Sequence, residues 1–220
     1  MSDYVRPAIA QQEFVDASGQ VIPYGERWGR ESPPENSYSI ETHPERFEPL
    51  HTVADALIAY LGRHYAVHVS EDLAFSADLV NPPGNAIRAV RLTPQPVALI
   101  EGSMAAITFV FTSYPSVIIH AGLIHDFAFP TCGCDACDES FEIQAALLES
   151  HTLAVVEGRY REWITGGLLP RIDFSIAFAD GYQSGSSHVP QALAARARQA
   201  KKVLARVPAE WAAWPQVETF

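Results

Sequence analysis

Three cysteines, Cys132, Cys134 and Cys137, stand within the stretch FPTCGCDACDES, and the 220-residue chain has no others. In an extended backbone side chains alternate, so Cys132 and Cys134 present their thiols on one side, with Gly133 between them permitting a sharp bend. Cys137 follows where the chain must turn. The spacing C-x-C-x-x-C thus lets three sulfurs meet without help from distant loops. Zinc is the natural occupant, since it is tetrahedral, thiolate-loving and redox-inert. Three thiolates leave one of its four positions to fill. The sequence offers His125 for it, seven residues upstream on a segment read as a loop that folds back; His120 and Asp138 are the alternatives. Asp126 stands ready to orient the imidazole of His125 or of His120.

Two other readings of the cluster stay open: a redox-active thiol group and ordinary packed cysteines. Asp135 and Asp138 place negative charge beside the thiols, which disfavours a thiolate nucleophile, and no thioredoxin-like βαβ pattern precedes the CxxC pair. Elsewhere the sequence contains no HExxH, GxSxG, Walker A or GxGxxG motif. The tract Gln183–His188 reads as a polar loop rather than a serine nucleophile with its base. His151 reads as a half-buried core histidine. Arg46 and Glu45 read as residues that tie an irregular segment onto the rest of the molecule.

Composition narrows the class. Hydrophobic residues make up 48% and charged ones 19%, the balance of a globular domain rather than a disordered one. The net charge of -11 is concentrated in the first 150 residues. An acidic body disfavours nucleic acid, and the late basic residues Arg196, Arg198, Lys201, Lys202 and Arg206 read as the solvated face of a helix. No apolar run reaches the length of a membrane span. The N-terminus lacks a signal-peptide core, and the odd cysteine count argues against a disulfide framework. The expectation is a cytoplasmic protein.

The elements that must position the cluster follow from periodicity. Residues 1–47 are rich in prolines and also carry Tyr24, Trp28, Tyr38 and Phe47, which predicts an extended N-terminal arm packed on the domain. Residues 48–220 read as a single α+β domain. Val53, Leu57, Ile58 and Leu61 recur at helical spacing. AVHVSED, AIRAVRLTP, AAITFVFTS and SVIIHAGLI read as strands, the last two joined at Tyr114-Pro115. An amphipathic pattern from about Asp138 to Ile164 predicts one long helix stopped at Gly166-Gly167. RIDFSIAFADGYQSGSS predicts a hairpin with a type I′ turn at Asp180-Gly181. Pro190 opens a last helix. The order predicts an antiparallel sheet packed against helices.

The segments YGERWG, SPPENSYS, HPERFEPLHTVADAL, HDFAFPTCGCDACDE and VVEGRYRE together resemble an uncharacterised actinobacterial domain-of-unknown-function family. The resemblance spans most of the chain and implies a bacterial cytoplasmic protein. It assigns no reaction, ligand or partner, so the functional expectation rests on the residues. That expectation is a non-catalytic, zinc-stabilised binding or regulatory module for an unknown protein or small molecule. The alternatives are a small-molecule enzyme with a pocket between arm and sheet, using His43, His120 or Asp126, and a thiol-based redox sensor.

Overall fold

A computed structural model describes residues 3–95, 104–166, 170–207 and 210–217. Five strands form a meander: β1 (Val67–Glu71), β2 (Ala86–Pro94), β3 (Ile107–Thr112), β4 (Val117–Ala121) and β5 (His125–Phe129), each antiparallel to the next. A second antiparallel sheet holds β6 (Tyr160–Thr165), β7 (Arg171–Ala177) and β8 (Tyr182–His188). Among the described residues three α-helices, α1 (Pro49–His64), α2 (Phe141–Val156) and α3 (Ala194–Leu204), complete the α+β architecture.

The alternation of side chains explains where the core lies. In β3, Ile107, Phe109 and Phe111 join the main core with Leu50, Leu57 and Leu61 of α1 and Leu148 of α2. The intervening Val110 faces the other way and packs with Leu79 and Ala89. All six residues of β3 are therefore buried, as expected of a central strand covered on both faces. In β7 only one set is inward: Ile172, Phe174 and Ile176 are buried while the residues between them are not.

Two expectations about elements are corrected. The amphipathic run is not one helix: α2 ends at Val156, and the chain enters β6 at Tyr160. Gly158 makes that break possible, with a φ of 73° and backbone so close that a Cβ would meet Ala213 N at 2.6 Å. Gly166 follows β6, and Gly167 lies outside the described residues. The second correction concerns the β7–β8 turn. Phe178 N–H donates to Gly181 O at 2.8 Å, but neither Asp180 nor Gly181 has a positive φ, so the turn is not type I′. The polar tract after it is strand β8, paired along its length with β7.

The connection that matters for the site runs from the end of β5 to the start of α2. Ser140 opens α2, its Oγ accepting from Ile143 N–H at 3.4 Å. The residues between Phe129 and Ser140 carry the three cysteines.

Candidate metal centre

The three sulfurs converge. Their Sγ atoms all lie within 4.8 Å of one another, and Cys134 Sγ is 3.5 Å from Cys137 Sγ. Zn–S bonds of about 2.3 Å in a tetrahedron require S···S separations of about 3.8 Å. The triad matches that within shifts of about 1 Å. At 3.5 Å the sulfurs are unbonded, and all three cysteines are free thiols. Cys134 is buried, while Cys132 and Cys137 are exposed, so the cluster has an inner and an outer side.

Local structure explains the convergence. Cys134 to Cys137 form a turn closed by Cys137 N–H donating to Cys134 O at 3.1 Å. The loop before it is pinned by one carboxylate: Glu139 accepts from the N–H groups of Thr131 (3.3 Å), Cys132 (3.1 Å) and Gly133 (2.8 Å), and from Gln144 Nε2 (3.1 Å). Gly133 has a φ of 83°, and a Cβ there would collide with the Tyr114 hydroxyl. Glycine is required between the first two cysteines for both reasons.

Protonation is shared unevenly. Burial raises the Cys134 thiol, yet hydrogen bonds from the Cys137 N–H, the Cys132 and Cys137 thiols and the Ser39 N–H outweigh it, and its pKa falls. The Cys137 thiol shares its proton with Cys132, is partly desolvated and bonds to Cys134; it is pushed up to about 12. Thiols that hydrogen-bond one another at this range can give up their protons to a metal that takes the protons' place.

The N-terminal arm forms the other wall. Asp135 N–H donates to Ile40 O (2.7 Å) and Ala136 N–H to Ser37 O (3.1 Å). Trp28 Nε1 donates to Asp135 O at 3.1 Å, and Arg27 N–H to Asp138 Oδ2 at 2.8 Å. The Asp135 carboxylate accepts from Thr42 N–H at 2.9 Å and from the Thr42 hydroxyl, and lies 3.5 Å from Arg27 Nη1. Both aspartates flanking the thiols are therefore turned toward the arm. Arg46, only 2% exposed, donates to Gly133 O (2.8 Å), Glu139 O (3.2 Å), Thr42 O (2.6 Å) and His43 O (3.0 Å). Its guanidinium also stacks 4.2 Å from the Tyr24 and Phe47 rings. Sequence reasoning placed Arg46 on the arm but missed its role at the loop. Ser39 and Glu139 were missed altogether.

The expected fourth ligand, His125, does not join the group of converging donors. Residues 125–129 are a strand rather than a returning loop, which carries His125 about 13 Å along the backbone from Phe129. Its ring stacks 3.8 Å from Phe174, and burial pulls its pKa down to about 4. His120 lies elsewhere too. Its Nδ1 is 2.6 Å from Asp126 Oδ1, and its Nε2 is 2.9 Å from Arg196 Nη2. Arginine only donates, so Nε2 accepts and Nδ1 carries the proton toward Asp126. A cavity of about 540 Å³ borders His120, Asp78, Arg91, Thr108 and Arg196, but the imidazole lone pair facing Arg196 is already engaged. A second cavity, of about 430 Å³, lies under the arm between Phe14, Tyr24, Arg46 and Ser140; His43, His120 and Asp126 do not line it. His151 is buried, bonding Leu147 O at 2.7 Å and Gln183 Oε1 at 2.8 Å.

Among the described residues no helix is long and apolar enough to cross a membrane. Comparison with characterised proteins and with solved structures gave no match. The sequence family is identified nonetheless: arm, cysteine loop and both sheets fall within residues 10–218, the span matched by the model of the family of unknown function DUF6226, to which the chain belongs.

Proposed function

We propose that the protein is a non-catalytic binding or regulatory module in which a thiolate-bound zinc ion locks the N-terminal arm to the corner between β5 and α2. The observation that carries this reading is the convergence of three Sγ atoms within 4.8 Å, in a loop whose backbone is bonded to the arm at Ser37, Ile40 and Arg46 and whose Asp135 carboxylate is bonded to Thr42. Zinc held by thiolates contributes on the order of 10 kcal/mol of apparent binding energy, comparable to the net stability of a domain. That is ample to fix a segment rich in proline and poor in regular structure. A non-catalytic role is favoured because the buried His120–Asp126 pair is closed by Arg196.

The test is elemental analysis of protein purified without chelators or a metal-affinity column, alongside Cys134→Ser. The expected result is about one zinc per chain, with most of it lost from the variant. The variant's melting temperature should fall by roughly 10 °C or more. A metal-free wild type, or a variant with unchanged melting temperature, would sink the reading. Three titratable thiols that form and release a disulfide would then move the redox sensor to first place.

A further inference from the structure

Among the described residues, the coordination sphere that the chain supplies is incomplete. All eight histidines and all three cysteines are among the described residues, and the only group of metal-ligating side chains found there is the cysteine triad. The candidate histidines are committed elsewhere, His125 to Phe174, His120 to Asp126 and Arg196, and His43 to Glu45 and Val15 O. Of the neighbouring carboxylates, Asp135 is committed to Thr42 and Arg27, and Glu139 to three loop amides; Asp138 accepts from Arg27 N–H through Oδ2, and its buried Oδ1, without a hydrogen-bond partner among the described residues, does not join the converging sulfurs. Structural zinc sites are closed by four protein ligands, whereas sites that keep a position open do so for a molecule from outside.

We infer that the triad is an open metal centre, with three thiolates from the chain holding the ion and an exchangeable small thiol from solution taking the fourth position. This rests on the metal-clip reading above and extends it to a ligand class.

Three observations support the class. First, the exposed sulfurs, Cys132 and Cys137, put the vacant side toward solvent. Second, three thiolates make the ion soft and electron-rich, which favours a fourth sulfur over water or carboxylate. Third, the surroundings are built to tolerate an anion. Arg46 is buried, has no carboxylate partner among the described residues, and donates to the carbonyls of Gly133, between the first two cysteines, and of Glu139, just after the third. A buried guanidinium without a carboxylate needs negative charge nearby, and a thiolate-rich centre provides it. The Tyr114 hydroxyl, buried and without a hydrogen-bond partner among the described residues, lies against Gly133 as a spare donor. On binding, the incoming thiol loses its proton to solvent and displaces whatever neutral ligand holds the fourth position, so no oxidant or reductant is required.

The experiment substitutes Co(II) for zinc in the full chain and titrates it with cysteamine, with ethanolamine as the control lacking sulfur. The expected result is a saturable rise of about a third in S→Co(II) charge-transfer absorption, from three sulfurs to four, with no response to ethanolamine. His125→Phe, which keeps an aromatic ring against Phe174, should give the same spectra. A spectrum that cysteamine leaves unmoved, or that changes when His125 is replaced, would overturn the open fourth position while leaving the metal clip standing. Failure to bind Co(II) or zinc at all would remove both.

Discussion

Glu162 is the most perturbed carboxyl in the interior. It is 4% exposed and accepts hydrogen bonds from Leu123 N–H (2.8 Å), Ile124 N–H (3.1 Å) and the Tyr160 hydroxyl (3.2 Å). Burial dominates these donors and lifts its pKa to about 7 from the usual 4.5. The folded protein therefore holds this proton more tightly than the unfolded chain. Below pH 4.5 both states are protonated and nothing is lost; between 4.5 and about 7 only the folded state is protonated, so stability falls as pH rises. Above that window the penalty is constant, of order 3 kcal/mol. Chemical denaturation across this range should show the decline, and Glu162→Gln should flatten it. A wild-type profile without the decline would refute the assignment. At this scale the sequence disclosed the cysteines, because their chemistry is carried by neighbours along the chain. It could not disclose Arg46, Arg27 or Glu162, whose partners lie 93, 111 and 39 positions away.

Among the elements, α3 shows how a basic helix departs from the solvated face its composition predicts. Arg196 reaches back to the sheet region, donating to Leu123 O (3.0 Å), Leu79 O (3.1 Å), Asp78 O and His120 Nε2. Ala197 and Ala200 are the buried residues of the same helix, too small to hold it by apolar area alone. Arg196→Ala strips three carbonyls and an imidazole of their donor and should cost about 2 kcal/mol. Hydrogen exchange followed by mass spectrometry should find α3 amides losing protection before those of β3 and β4. Equal protection in the variant would show that packing alone holds the helix. Strands β1 to β4, β7 and helix α1 were legible because alternation and 3.6-residue spacing are properties of contiguous residues. The end of α2 was not: Val156 to Tyr160 keeps an apolar rhythm, and only the contact of Gly158 with Ala213, 55 positions later, marks the break. His125 was misplaced for a similar reason. Its segment pairs with β4, and a five-residue strand between aromatic positions gives little local sign that it is straight.

For the molecule as a whole, the arm and the cysteine loop form one assembly. On the metal-clip reading, removing metal should loosen residues 24–46 first, since their bonds to Gly133, Asp135, Ala136 and Asp138 depend on the loop holding its shape. Limited proteolysis with and without a chelator checks this: cleavage in the arm should accelerate at least about fivefold, while the sheets stay intact. Uniform acceleration throughout the chain would instead mean that the metal supports global stability without a special tie to the arm. Disordered or weakly held segments are where partners and proteases act, so occupancy of the cluster would set how much of the arm is presented.

The distance in sequence between arm and anchor also bears on how the protein is made. Thr42 and Asp135 are 93 residues apart, as are Arg46 and Glu139. On a ribosome adding ~5–20 residues per second, the arm emerges some ~5–20 s before its docking loop exists. During that interval the Trp28 indole lacks its acceptor, the Asp135 carbonyl. The many prolines of the arm suit this wait, because they disfavour pairing with other nascent strands. On the metal-clip reading, capture of the ion must follow translation of Cys137, so the arm, synthesised before the loop, settles after it.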